Sequence, residues 1–337
     1  MIARMKTRTF NRTGFAVSEI GLGCWQFGGD WGEVSDEEAT RTLAAAVEAG
    51  INFFDTADVY GAGRSETLIG RFLKNRNLKG KVFVATKLGR LHGYPDDYCA
   101  KLFRRCTEDS LQRLGVDALD LLQLHCVPRG WLERGEVFDW LSDLKREGKV
   151  RHFGASVESM DEADLCLRQE GLASLQIIFN IFRQKPIETL FEKARSRNVA
   201  LVIRLPLASG LLAGKFDKNT TFPEVDHRNY NRDGQMFNVG ETFAGLPFEK
   251  GVDATEKVRA IFNEAGLLHG TTTMAQLAQR WILDHDAVSV VITGSKRPQQ
   301  VRENAAGSDL PPLGDDVHRQ LAAYYREDVA DAIRGPY

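Results

Sequence analysis

Asp55, Tyr60, Lys87 and His125 together make an acid–base set, and three of them close short apolar runs: Asn52-Phe53-Phe54-Asp55, Val82 to Lys87, and Leu119 to His125. A phenol has a reference pKa of about 10, so Tyr60 donates a proton poorly at neutral pH unless a nearby cation stabilises its phenolate. Lys87 could be that cation. A desolvated ammonium needs a counter-ion, and Asp55 could supply it. His125 would then orient a substrate oxygen by hydrogen bonding. Taken singly, each residue has an ordinary structural reading: Asp55 as a helix N-cap, Tyr60 as a packed aromatic, Lys87 as a snorkelling strand end, His125 as a satisfied core histidine. Their joint placement at strand ends is what favours a site.

The elements that would bring them together are short β-branched or apolar runs alternating with longer amphipathic stretches, the pattern of parallel strands joined by crossover helices. Eight candidate strands begin near Glu19–Gly23, Asn52–Asp55, Val82–Lys87, Leu119–His125, His152–Ser156, Leu175–Asn180, Ala200–Arg204 and Ser289–Ile292. Helices are expected over 36–49, 64–76, 98–114, 135–147, 159–170, 187–197 and 273–284, with Ser35 and Glu38 forming a capping-box pattern before the first. Eight such alternations in 337 residues, with no linker composition, predict an α/β fold of one domain, residues 1–337. A (β/α)8 TIM barrel is favoured over an open doubly wound sheet, and its polar strand ends would converge on one mouth. Two segments stand outside the repeat. Thr7–Val17, with turn formers from Asn11 to Gly14, predicts an N-terminal β-hairpin plugging the barrel bottom. The stretch Pro206 to about Gly251 follows strand seven and predicts a long lid loop, with Arg228, Tyr230, Arg232, Phe237 and Phe243 over a bound ligand.

A formal net charge of −2 gives no support to a nucleic-acid partner. The five cysteines form no CxxC pair and read as reduced, packed thiols. No stretch of 18 apolar residues exists for a membrane span, so a cytoplasmic location is expected. Gly21-Leu22-Gly23 and Gly61-Ala62-Gly63-Arg64 both lack the third glycine of a Rossmann fingerprint, and neither a Walker nor an HExxH motif occurs. No metal is expected, since His125 and Asp55 have no second clustered histidine and Lys87 would repel a cation. The oligomeric state cannot be read from the sequence.

The stretches Gly21-Leu22-Gly23-Cys24-Trp25, Asp55-Thr56-Ala57-Asp58-Val59-Tyr60-Gly61, Thr86-Lys87 and Leu121-Leu122-Gln123-Leu124-His125 resemble the aldo-keto reductases, in particular the long-loop bacterial branch. The resemblance runs from Gly21 to Asn304. It implies a barrel that binds NADP(H) in extended form and reduces small aldehydes or ketones by hydride transfer. Tyr60 would be the general acid, or the base in alcohol oxidation; Lys87 and Asp55 would tune it and His125 would position the carbonyl.

For the cofactor the resemblance implies Ser156 and Gln176 at the nicotinamide carboxamide, with Cys24 and Trp25 nearby. Leu205, Pro206 and Leu207 would follow, then Ser209, Gly210, Leu211 and Lys215 around the pyrophosphate. Gly294, Ser295, Lys296, Arg297, Gln300, Glu303 and Asn304 would hold the adenosine end. Lys296 and Arg297 favour NADP over NAD, because a 2′-phosphate needs a cationic partner, though NAD(H) use also stays open. Two positions depart from the pattern: Val157 stands where many members have asparagine, and Arg204 where an aromatic ring usually stacks on nicotinamide, a role a planar guanidinium can also fill. Trp25, Trp31, Tyr60 and His125 are assigned to the substrate, with Phe27, Pro128-Arg129 and the tail Arg334–Tyr337 as further wall candidates; aromatic and cationic walls suit a sugar or aldehyde. The same branch includes potassium-channel β-subunits, so a cofactor-sensing regulatory subunit with little turnover is the alternative.

Overall fold

The structure, a computed structural model, describes residues 5–29 and 31–337. Among them, eight parallel strands close into a barrel: β3 (Ile20–Gly23), β4 (Phe53–Asp55), β5 (Phe83–Leu88), β6 (Leu119–His125), β7 (Val150–Ser156), β8 (Leu172–Ile178), β9 (Ala200–Arg204) and β10 (Val288–Gly294). Each strand pairs with its neighbour in sequence, and β10 returns to β3 with Val291 opposite Ile20 and Gly294 opposite Gly23. The strands are short apolar runs because both of their faces are covered, one by the barrel interior and one by helices. The expected (β/α)8 barrel is therefore the observed fold.

The hairpin is also present. β1 (Thr7–Thr9) pairs antiparallel with β2 (Ala16–Ser18), and Gly14 takes the left-handed conformation at φ 71° that closes the turn. Phe10, from the hairpin, is fully buried against Phe53 and Phe83, with ring centroids 5.5 and 5.4 Å away, and so plugs the barrel bottom.

Helix predictions hold in outline and differ at the ends. Ser35 caps Asp36–Glu48 by accepting from the Glu38 amide. The helix expected over 187–197 breaks at Leu190 into Pro186–Thr189 and Phe191–Ser196. The segment after β9 is less of a loop than its composition suggests: it carries short turns at Ala208–Ala213, His227–Tyr230, Val239–Glu241 and Phe243–Gly245, then a long helix, Phe248–Glu264, that begins inside the expected loop. No helix among the described residues is long and apolar enough to cross a membrane.

Candidate functional site

The C-terminal ends of the strands hold Gly23, Asp55, Lys87, His125, Ser156, Arg204 and Gly294, with Gln176 near the end of β8. Except for Lys87, which lies behind the wall, all of them line one cavity of about 410 Å³ between the barrel mouth and the segment after β9.

Lys87 is the centre of the geometry. It is completely buried, and its Nζ donates to Asp55 Oδ1 at 2.6 Å, the Thr56 carbonyl at 2.8 Å and Tyr60 Oη at 3.2 Å. An ammonium has three hydrogens, and these three acceptors use them all. Because Tyr60 Oη accepts from Lys87, its own hydrogen is left for another partner. Gln176 Nε2 donates to the other Asp55 oxygen at 2.7 Å, so the carboxylate is held on both sides. His125 meets the Tyr60 ring edge-on at 5.8 Å, and the Trp25 ring lies nearly parallel to it at 6.0 Å.

Burial dominates the titrations. It pushes the Tyr60 phenol up to about 12, with Lys87 pulling it down less strongly than burial raises it. Asp55 is also raised by burial, against the pull of Lys87. Lys87 itself stays above the usual lysine value: burial acts to lower it, and Asp55 and Tyr60 more than offset that. His125 is held well below its ordinary value by burial and then by Arg90, Lys87 and Arg204, so it is a neutral imidazole at neutral pH.

A second set of charges lies beside the first. Arg204 Nη1 pairs with Glu241 Oε2 at 2.8 Å, and its Nη2 donates to the Val157 carbonyl at 3.0 Å. Arg90 pairs with Glu158 at 2.6 Å and reaches Glu241 at 3.4 Å. Cys126, Glu158 and Glu241 bring ligand-type atoms within 4.8 Å of one another, but the two guanidinium groups already neutralise those carboxylates, which disfavours a metal cation there.

Of the residues expected at the cofactor, Trp25, Ser156, Gln176, Arg204 to Leu207, Ser209, Gly210, Lys215, Gly294, Lys296, Gln300, Glu303 and Asn304 line the cavity. Four do not. Cys24 and Leu211 are packed in the apolar core. Ser295 is buried behind the wall, its Oγ accepting from Asn304 Nδ2 at 3.2 Å. Arg297 turns outward: its side chain is 76% exposed and approaches Glu38 only at 4.0 Å. Trp31 lines the cavity as expected for a substrate contact, whereas Phe27 is fully buried. Arg129 is engaged at the surface with Glu133 and Asp161. The tail packs outside the cavity instead of lining it: Arg334 pairs with Asp233 of the segment after β9, and the Tyr337 ring lies 4.5 Å from the guanidinium of Arg183, which follows β8. Within that segment Arg228 lines the cavity and Phe237 packs near Trp25 at 6.3 Å, but Phe243 is core and Arg232 lies over the Phe248 ring. Gln26 and Glu241 are wall residues that the sequence reading missed, since neither sits in a motif or closes a strand.

The residues match the demands of a nicotinamide dinucleotide. Among the described residues, four buried polar atoms of wall residues, Gln26 Oε1, Trp31 Nε1, His125 Nδ1 and Arg204 Nε, have no protein partner, so the wall offers hydrogen bonds still to be made. A side chain at Gly294 would meet the Gln26 amide, so glycine there lets Gln26 keep its place on the wall. Lys215 and Lys296 line the cavity as cations that could neutralise phosphates, whereas the Arg228 guanidinium on the same wall is already paired with Asp226 at 2.7 Å.

A family model described as the aldo/keto reductase family matches residues 19–326. The protein belongs to that family. Relatives include the aldo-keto reductase YhdN of Bacillus subtilis, 29% identical over 298 residues and covering 86% of this chain and 84% of its own length. A relative in Escherichia coli, 28% identical over 324 residues with 91% and 94% covered, is named an NADH-specific methylglyoxal reductase. Among solved structures, a glycerol dehydrogenase from Gluconobacter oxydans superposes with a TM-score of 0.77 at 28% identity, covering 100% of this chain and 99% of that one. This aldo-keto reductase is accordingly an oxidoreductase of the nicotinamide-using class with a small-molecule substrate.

Proposed function

We propose that this aldo-keto reductase uses NADP(H) to interconvert a small aldehyde, ketone or sugar with its alcohol, and that Tyr60 handles the proton. The observation that carries the reading is the Tyr60 hydroxyl: Lys87 donates to its oxygen at 3.2 Å from behind, and Tyr60 and His125 line the same cavity. The bound cofactor supplies or accepts a hydride. The chain's own residues do the rest. Tyr60, with its pKa raised to about 12 by burial, keeps its proton throughout the physiological range, and Lys87, which pulls against that rise, is the group that stabilises the phenolate left when the proton passes to a carbonyl oxygen. In the alcohol direction the phenolate would be stabilised chiefly by Lys87. His125, neutral and short of one partner, can orient the substrate oxygen without competing as an acid.

Cofactor preference rests on Lys296, which lines the cavity with Arg228 and Lys215 and has no carboxylate within pairing distance among the described residues. The E. coli relative named NADH-specific indicates that family membership alone leaves this choice open. The aromatic wall of Trp25 and Trp31 beside hydrogen-bonding groups suits a hydroxylated substrate, consistent with the polyol and ketoaldehyde in the names of the relatives. The test is NADPH oxidation with a panel of aldehydes, ketones and sugars, using the wild type and Tyr60→Phe. Loss of at least about a hundredfold in kcat is expected on removing the hydroxyl; undiminished turnover rejects the role. NADPH binding without turnover of any panel member would favour a regulatory subunit instead.

A further inference from the structure

We propose that Glu241 is a positioning residue of this site: by clamping Arg204 and Arg90 it latches the segment after β9 over the bound cofactor and sets the charge beside Tyr60. The part concerning Tyr60 rests on the function proposed above; the latch does not.

Glu241 ends the single turn Val239–Glu241 and is almost fully buried. Its two oxygens reach guanidinium groups on two different strand ends, Arg204 at the end of β9 and Arg90 just beyond β5. Arg90 is fixed in turn by Glu158, just beyond β7. The result is a chain of alternating charge, Arg204, Glu241, Arg90, Glu158, that joins the covering segment to three strands. The backbone is tied at the same place: the Glu241 carbonyl accepts from Ser209 Oγ at 3.2 Å, and Ser209 Oγ accepts from the Phe243 amide at 3.1 Å. Ser209 and Gly210 form the left-handed turn on the cavity wall, at φ 56° and 101°. Opening the segment therefore breaks the Glu241 pairs and the two Ser209 hydrogen bonds together.

A buried ion chain is a poor stabiliser compared with apolar packing of the same volume. Its position in a cavity wall, with Arg204 Nε still lacking a partner, points to use by a ligand instead. The two departures from the family pattern also meet here. Arg204 spends one nitrogen on the carbonyl of Val157, so the guanidinium is fixed in plane by Glu241 on one side and by the backbone beside the missing asparagine on the other.

Asp55 from β4, Lys87 from β5 and His125 from β6 lie around Tyr60, and Glu241 from the covering segment lines the same cavity. Two negative groups line the cavity, Asp55 and Glu241, and both oppose the phenolate, Asp55 more strongly than Glu241. Neutralising Glu241 makes phenolate formation easier, so any pH limb governed by Tyr60 moves toward lower pH.

The experiment compares wild type, Glu241→Gln, Glu241→Asp, Arg204→Met and the Gln/Met double variant, with thermal midpoints to establish folding. NADPH dissociation is followed by stopped-flow fluorescence, and the pH profile of kcat/KM is measured for alcohol oxidation. In Glu241→Gln the dissociation rate is expected to rise at least about tenfold, since losing one partner of a buried pair acts chiefly on the off-rate. The acid limb is expected to move down, Glu241→Asp to recover part of both effects, and the double variant to be no worse than Arg204→Met. A dissociation rate within about twofold of wild type in Glu241→Gln, or additive losses in the double variant, overturns the latch. If Glu241→Gln does not fold, an unchanged dissociation rate in folded Arg204→Met overturns it equally. Retained turnover in Tyr60→Phe would remove the proton-transfer reading while leaving the dissociation result to judge the latch alone.

Discussion

Replacing Lys87 by methionine removes the cation on which the acid–base set is built while keeping most of its volume. The ammonium makes three hydrogen bonds, at 2.6, 2.8 and 3.2 Å, in a place with no access to water. Without it, Asp55 keeps the Gln176 hydrogen bond and the weaker pull of Arg204 to stabilise its charge. If the carboxylate stayed ionised the variant would lose about 3–5 kcal/mol, the usual consequence of orphaning a buried charge. It has a cheaper course. Asp55 is already raised by burial, and without Lys87 it rises further, so it folds protonated. A carboxyl whose folded pKa lies above its unfolded value of about 3.9 contributes fully below that value and loses stability as pH climbs toward the folded pKa, by about 1.4 kcal/mol per unit. The deficit of Lys87→Met should therefore be small near pH 4.5 and grow through neutrality. Urea midpoints at several pH values, with the m-value checked for constancy, measure it. Asp55→Asn combined with Lys87→Met removes both charges and should be the more stable protein at pH 8. Turnover should fall by about two to four orders of magnitude in either. A deficit that does not vary with pH, or a double variant weaker than the single one at pH 8, would refute the view that Asp55 is there for Lys87.

Three further outcomes follow from the geometry. Lys296→Ala should weaken NADPH relative to NADH by at least about tenfold while Arg297→Ala leaves the ratio nearly unchanged, because only Lys296 reaches the cavity; fluorescence titrations with both cofactors decide it. Asp58 is buried with no side-chain partner for its carboxylate, and burial followed by the nearby Glu66 raises it to about 7 against the pull of Arg113 and the Val59 amide. Its raised pKa makes the native state lose stability from about pH 4 to 7, so Asp58→Asn should flatten that slope in urea titrations; an unaltered slope counts against it. Phe10→Ala empties the plug at the barrel bottom and should lower stability by about 3–5 kcal/mol with KM unchanged, checked by denaturation and steady-state kinetics.

The barrel was legible because its signals are local: each strand is a short apolar run, and each polar terminus reports the mouth. The hairpin could be placed at the bottom because the turn formers Asn11 to Gly14 left it as the natural reading, while Phe10 as the plugging side chain emerged only from the structure. Helix Phe248–Glu264 was missed for a different reason. Its first turn contains Gly251, and it follows Pro247 directly, so its start looks like the end of a loop. The break at Leu190 had no local marker, since Phe191-Glu192-Lys193-Ala194 continues a good helical pattern; only the structure shows it.

In the site, the sequence reading succeeded where function and strand ends coincide and failed where direction matters. Lys296 and Arg297 are adjacent cations with equal claim on a phosphate, yet one step along an extended backbone sends them to opposite sides: Arg297 is the N-cap of Pro298–Ala305, and its side chain leaves the cavity. Glu241 was invisible because it is an isolated acid in a segment of glycines and aromatics, and its partners lie 37 and 151 positions away, at Arg204 and Arg90. Arg204 illustrates the converse. As a departure from a pattern it looked like a weakened stacking residue, but with Val157 and Glu241 around it the guanidinium is held on two sides. Its loss should therefore cost more than a flexible cation would, and replacing it by the aromatic that the family pattern suggests would leave Glu241 buried with only the longer 3.4 Å contact to Arg90. Restoring the family residue at this position should harm this protein unless Glu241 is neutralised with it.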